Sequence, residues 1–133
     1  MTFTINKSVI HDDDFEIVLP IKLNNGNVGR TTHYGASARR RKAYENLLRS
    51  LGLVKTPPEH RQRIVVIRLL GKGEKYYDSD SLGRGNVKEI LDSMTACGFW
   101  KDDSYKHLEV HYGQDASDRK NGFAVKIQVR KIN

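Results

Sequence analysis

The sequence predicts an α+β fold: a single small domain in which two helices pack on one face of a mixed sheet. Three observations carry that expectation. The chain has 133 residues, enough for one core but not for two. Its apolar residues alternate in some segments and recur every three or four residues in two others. The segments fall in the order strand, helix, strand, helix, strand, strand, which suits helices layered on a sheet. No repeat or low-complexity tract divides the chain, so the domain is expected to span residues 1–133, with 1–14 a lead-in or an edge strand.

Residues 15–23 form a mostly apolar run broken by Pro20, as in an edge strand or a bulged one. Residues 24–34, rich in Asn and Gly, read as a loop. From Ala36 the spacing becomes helical through Arg40, Tyr44, Leu47, Leu48 and Leu51, with Ser37 placed to cap the start and Gly52 to end it. Pro57 and Pro58 mark a turn. The unbroken run Ile64, Val65, Val66, Ile67 predicts a strand covered on both faces and central in the sheet. Val87, Ile90, Leu91, Met94 and Cys97 describe a second amphipathic helix that Gly98 terminates, with Met94 and Cys97 in the core. Two segments then alternate, Leu108, Val110, Tyr112 and Phe123, Val125, Ile127, Val129, and read as an antiparallel hairpin across the loop 113–122.

Lys and Arg number 23 against 16 Asp and Glu, a net charge of +7 with a pI near 9.6. That excess in a small domain points to a polyanionic partner, with nucleic acid first. No apolar stretch approaches the roughly 20 residues of a membrane span, and the first residues lack the pattern of a secretory signal. The single cysteine, Cys97, excludes an internal disulfide and a thiolate zinc cluster and fits a reducing cytoplasm.

The stretch 76–103 carries the chemistry. Asp78 and Asp80 follow the central strand, and in extended chain two residues of spacing turn both carboxylates to one side, roughly 6 to 7 Å apart. Asp102 and Asp103 follow the second helix, so a strand-turn-helix-turn path can return them toward the first pair. Three converging carboxylates suit Mg²⁺, which takes oxygen ligands and keeps waters, leaving room for a scissile phosphate. Alone, Asp-x-Asp describes many solvated turns and helix caps.

The wider pattern is more specific. Asp78-Ser79-Asp80-Ser81-Leu82, an amphipathic helix, then Gly98-Phe99-Trp100-Lys101-Asp102-Asp103 resembles the RusA-type Holliday junction resolvases, whose pattern is Asp-x-Asp-Asn-Leu, one helix, and Gly-Phe-Trp-x-Asp-Asp. The likeness extends more loosely over residues 15–129, including Leu19-Pro20 and Asn24-Asn25. It implies that Asp78, Asp80 and Asp103 are catalytic, metal-binding carboxylates with Asp102 a lesser neighbour. It also implies that Mg²⁺, or Mn²⁺ in its place, is the cofactor, and that a homodimer cuts four-way and other branched DNA. Ser81 stands where the family has Asn, leaving only a hydroxyl to brace the aspartates. The segment from Asp80 to Gly98 is about one helical turn longer than in the best-known member. The family's lysine therefore matches Arg84 without a gap and Lys88 with one, and either cation can offset phosphate charge. A second expectation keeps the fold and the basic surface in a nucleic-acid-binding protein that does not cut. A purely structural protein explains the charge poorly.

Arg39, Arg40, Arg41 and Lys42 are expected in the first turn of the first helix, where the macrodipole disfavours cations and a bound phosphate would compensate. With Arg30 they are the candidate DNA-binding residues, and Arg61, Arg63 and Lys75 can extend the track. His107, Glu109 and His111 share a parity that suits a metal, although alternation with Leu108, Val110 and Tyr112 already explains a polar outer face. Gly71-Lys72-Gly73 lacks the spacing of a phosphate loop and reads as a turn. Phe99 and Trp100 read as core or interface.

Overall fold

Period-two alternation builds one five-stranded sheet in the computed structural model, which describes residues 4–5, 14–26 and 34–132. The strands are β1 (Thr4–Ile5), β2 (Phe15–Leu19), β3 (Gln62–Leu69), β4 (Leu108–Asp115) and β5 (Ala124–Lys131), in the spatial order β1-β2-β5-β3-β4. Only β3 and β4 run parallel, joined by a crossover that contains helix α2 (Val87–Ala96); the other pairs are antiparallel. The sheet is therefore mixed, as expected. Phe15, Ile17 and Leu19 of β2, Ile64 and Val66 of β3, and Val125, Ile127 and Val129 of β5 point to one face and are buried there. Helix α1 (Tyr34–Ser50) brings Tyr44, Leu47 and Leu48 to the same core, and α2 brings Val87, Ile90, Leu91 and Met94. Both helices thus cover one face of the sheet.

Each helix ends as its sequence predicts. Gly52 and Gly98 adopt φ of 73° and 87°. Leu53 N–H reaches Leu48 O at 2.9 Å and Gly52 N–H reaches Arg49 O at 3.0 Å, while Phe99 and Gly98 donate to Met94 O and Thr95 O at 3.1 and 3.0 Å. Both are Schellman closures that satisfy the last carbonyls. Phe99 and Trp100 are fully buried, and the indole Nε1 donates to Thr95 Oγ1 at 2.8 Å. They are core, with Met94 and Cys97.

Three expectations are corrected. β4 and β5 do not form a hairpin: they flank β3 on opposite sides, and the chain between them crosses the end of β3. Alternation identifies strand residues but not partners, and the more apolar β5 takes the middle of the sheet while the polar β4 takes the edge. β2 is not an edge strand, because β1 pairs through Ile5 with Ile17 and Thr4 with Val18; it still ends at Pro20, which has no amide to donate. Helix α1 begins at Tyr34, so Ser37 lies inside it instead of capping it, and Ala36 and its neighbours extend the helix by a turn. Of the expected loop, residues 27–33, Arg30 among them, lie outside the described residues, as do residues 1–3 and 6–13 of the lead-in.

Candidate functional site

The candidate residues lie on the β3 to α2 connection, on α2 and on the chain that follows it. A turn closes over Asp78, with Ser81 N–H donating to Asp78 O at 3.0 Å and Ser81 Oγ donating to the same oxygen at 2.8 Å. The expectation of extended chain at Asp78 and Asp80 is corrected accordingly. Ser81 is buried and braces the backbone of Asp78, not its carboxylate. A single 3₁₀ turn, Leu82–Arg84, then leads into α2, with Leu82 anchored in the core. Tyr112 of β4 lies against this turn, its hydroxyl 3.5 Å from where a Cβ on Gly83 would stand; burial pushes its pKa up.

The two candidate cations go to different aspartates. Arg84 reaches Asp80 at 3.4 Å, an exposed pair whose carboxylate is 82 % open. Lys88, one turn further, binds Asp103 from across the site and also Asp92 at 3.1 Å. The hydrogen bond to Asp103, joined by that to Asp92, holds the Lys88 ammonium above its ordinary range. Asp102 instead accepts Ser104 N–H at 2.9 Å, and hydrogen bonding from Ser104, its side chain foremost and then its backbone amide, keeps the Asp102 carboxyl below the usual value. Asp102 is thus a turn-forming residue.

Asp78, Asp80 and Asp103 offer the oxygen donors that Mg²⁺ takes. Among the described residues, however, no three His, Cys, Asp or Glu side chains gather closely enough to hold a metal ion. The donor chemistry suits the ion and the gathering does not.

The basic cluster divides by helix face. Arg40 turns inward and meets Glu89 of α2 at 2.6 Å, so this arginine joins the two helices. Lys42 pairs with Glu45 at 3.6 Å, and Arg39 and Arg41 are exposed. Because α1 starts at Tyr34, all four lie in its second and third turns, beyond the free amides of the first. Their placement in the first turn is corrected, and at this distance from the terminus the free amides and the macrodipole give no reason to expect a phosphate.

On the edge strand, Glu109 takes His111 at 2.6 Å and Arg63 at 3.1 Å, and these two hold its carboxyl below the usual range, His111 foremost. His107 precedes β4 and lies 3.7 Å from Asp102. The three do not converge on a metal. Gly71-Lys72-Gly73 is a turn, closed by Glu74, whose Oε1 accepts Gly71 N–H at 2.6 Å.

Sequence reasoning missed two residues that shape the site. Asn86 is buried at the start of α2, where Oδ1 accepts Asn24 N–H at 2.8 Å and Nδ2 donates to Lys22 O and the Tyr44 hydroxyl at 2.9 and 3.0 Å. Arg68, 2 % exposed, shares the inward parity of Ile64 and Val66, where alternation calls for an apolar side chain. That broken parity was its signal in the sequence. Comparison of the chain with protein-family models and with curated proteins finds no match.

Proposed function

We propose that this protein is a magnesium-dependent, structure-selective endonuclease that cuts four-way junctions and other branched DNA, working as a homodimer. The observation that carries the reading is the Lys88–Asp103 pair. It joins the helix in the middle of the motif to the aspartate at its end, so that the helix cation and the aspartate after the helix belong to one surface region. Arg84 beside Asp80 adds a second cation there. Positive groups among carboxylates let a phosphate approach a site that would otherwise repel it. The net charge of +7 supports a polyanionic partner. Cutting a symmetric junction on both sides needs two sites, and a cyclic dimer is the commonest way to pair identical ones.

The test incubates the protein with a labelled four-way junction, with and without Mg²⁺, beside a linear duplex of the same sequence. Expected are paired cuts in the junction only, dependent on Mg²⁺. Asp80→Asn should abolish cutting and preserve binding, because Asp80 is exposed and its loss touches no core contact. Equal loss of binding and cutting in a folded variant would sink the assignment.

A second reading has its own observation in support: Asp80 and Asp103 are engaged by Arg84 and Lys88, and the three candidate carboxylates do not gather. On that reading the protein binds branched nucleic acid without cutting it. Tight junction binding with no product at any Mg²⁺ concentration is its expected result.

A further inference from the structure

Arg68 is the one arginine of β3 that faces the core. A charge there is costly to desolvate, and a well-packed apolar residue often serves stability as well or better. Its contacts lead away from the core and into the connection that carries the aspartates. Nη1 donates to Lys75 O at 2.8 Å and to Gln114 Oε1 at 3.0 Å, and Nη2 lies 3.5 Å from Glu74 Oε2. The guanidinium plane stacks on the Tyr77 ring at 3.6 Å.

Gln114 is the β4 residue in register with Arg68. It grips the same segment through its backbone: Oε1 accepts Tyr77 N–H at 2.9 Å, and Nε2 donates to Tyr77 O at 3.0 Å. Both hydrogen-bonding groups of Tyr77 are thus held as a neighbouring strand would hold them. The next residue is Asp78, whose own carbonyl anchors Ser81. The chain from Lys75 to Ser81 is therefore tied at Lys75, at Tyr77 and at Asp78, and the first two ties come from the paired ends of β3 and β4.

We propose that Arg68 and Gln114 are positioning residues, which clamp the segment before Asp78 and so fix the direction in which Asp78 and Asp80 leave the sheet. The inference rests on the nuclease reading for its consequence, but the clamp itself is measurable without it. Arg68→Met keeps length and apolar stem while removing every donor, and Gln114→Leu removes the backbone grip from the other side.

Hydrogen exchange of the amides of residues 75–81 reads the clamp directly, with those of β3 and β5 as internal reference. In both variants exchange should quicken at Tyr77 and its neighbours and stay slow in β3 and β5. Unchanged exchange at Tyr77 in a folded variant would overturn the proposal, whether or not the protein cuts DNA.

Single-turnover cleavage of a four-way junction in Mg²⁺ reads the consequence. The variants should bind the junction as the wild type does and cut it more slowly, by about 100-fold, as expected when reacting groups are displaced by about 1 Å. Arg68→Lys, which keeps one donor for Lys75 O or Gln114, should recover part of the rate. Full cutting rates in Arg68→Met would overturn the positioning role. A wild type that does not cut, but whose Tyr77 amide loses protection in Arg68→Met, would refute the nuclease reading and leave the clamp standing.

Discussion

Gly52 and Gly98 close the two helices with the same backbone geometry, yet they are not equivalent. At Gly52 an added Cβ meets nothing within 4 Å, whereas at Gly98 it would stand 1.8 Å from the carbonyl oxygen of Lys55. The amide of Lys55 in turn donates to Cys97 O at 2.8 Å, so the segment after α1 is pressed against the end of α2. Alanine at Gly52 therefore costs only the left-handed conformation, about 1 to 2 kcal/mol. Alanine at Gly98 adds a backbone collision that neither segment can relieve without breaking that hydrogen bond, and its cost should exceed the Gly52 value by at least about 2 kcal/mol. Urea unfolding midpoints of the two variants give the comparison, and equal losses would refute it. The left-handed turn at each glycine was legible in the sequence, since each follows a helical period. The collision at Gly98 was not, because it depends on Lys55, more than forty positions away.

At the scale of elements, α1 and α2 are joined by a polar contact as well as by their apolar faces. Arg40 and Glu89 meet at 2.6 Å, with Glu89 8 % exposed and Arg40 33 %. Removing Arg40 leaves a nearly buried carboxylate without its guanidinium. A fully sealed pair would lose about 3 to 5 kcal/mol, and the open side of Arg40 reduces the expectation to about 1 to 3 kcal/mol. Arg39 and Arg41 point to solvent, so their loss should hardly change stability. On the proposed DNA partner the order reverses. Each of Arg39→Ala and Arg41→Ala should lower the log-log salt slope of binding by about 0.9 if it meets a duplex phosphate, while Arg40→Ala leaves the slope unchanged. A slope that falls only with Arg40 would reverse the assignment of faces. The run Arg-Arg-Arg-Lys was visible in the sequence as charge, and the helical period could have set Arg40 apart, since Arg40, Tyr44 and Leu47 share one stripe. What sequence could not supply was Glu89 on the other helix, or the earlier start of α1 at Tyr34.

For the whole molecule, periodicity located β2 to β5 and the helices α1 and α2 but not the two-residue β1, and it made β3 the central strand, a place that β5 takes. Their order in space escaped it, because alternation says which side of a strand is buried and nothing about which strand lies alongside. The same gap explains the site. Asp78, Asp80, Asp103 and the two cations were readable as a motif, whereas the division of Arg84 to Asp80 and Lys88 to Asp103 depends on how far α2 carries the chain. The consequence for stability is direct. β5 is paired on both edges, to β2 through Phe15–Val129 and its neighbours and to β3 along its full length. β4 has β3 on one side only. A hairpin of β4 and β5 at the sheet margin would make the two strands comparable in weight; the observed order makes β5 the element that holds β1 and β2 to the rest. Ile127, with none of its surface exposed, packs in the core from the middle strand, and Ile127→Ala should cost about 2 to 5 kcal/mol. Tyr112, 42 % exposed on β4, rests on the 3₁₀ turn beside Gly83, and Tyr112→Ala should cost about 1 kcal/mol or less. Deleting residues 124–131 should go further and abolish cooperative unfolding, since β2 would keep only the two-residue β1 as a partner. Thermal and urea melts followed by circular dichroism distinguish these outcomes. A truncated chain that still unfolds in one sharp transition, or an Ile127→Ala variant no weaker than Tyr112→Ala, would show that β5 is not the strand on which the sheet depends.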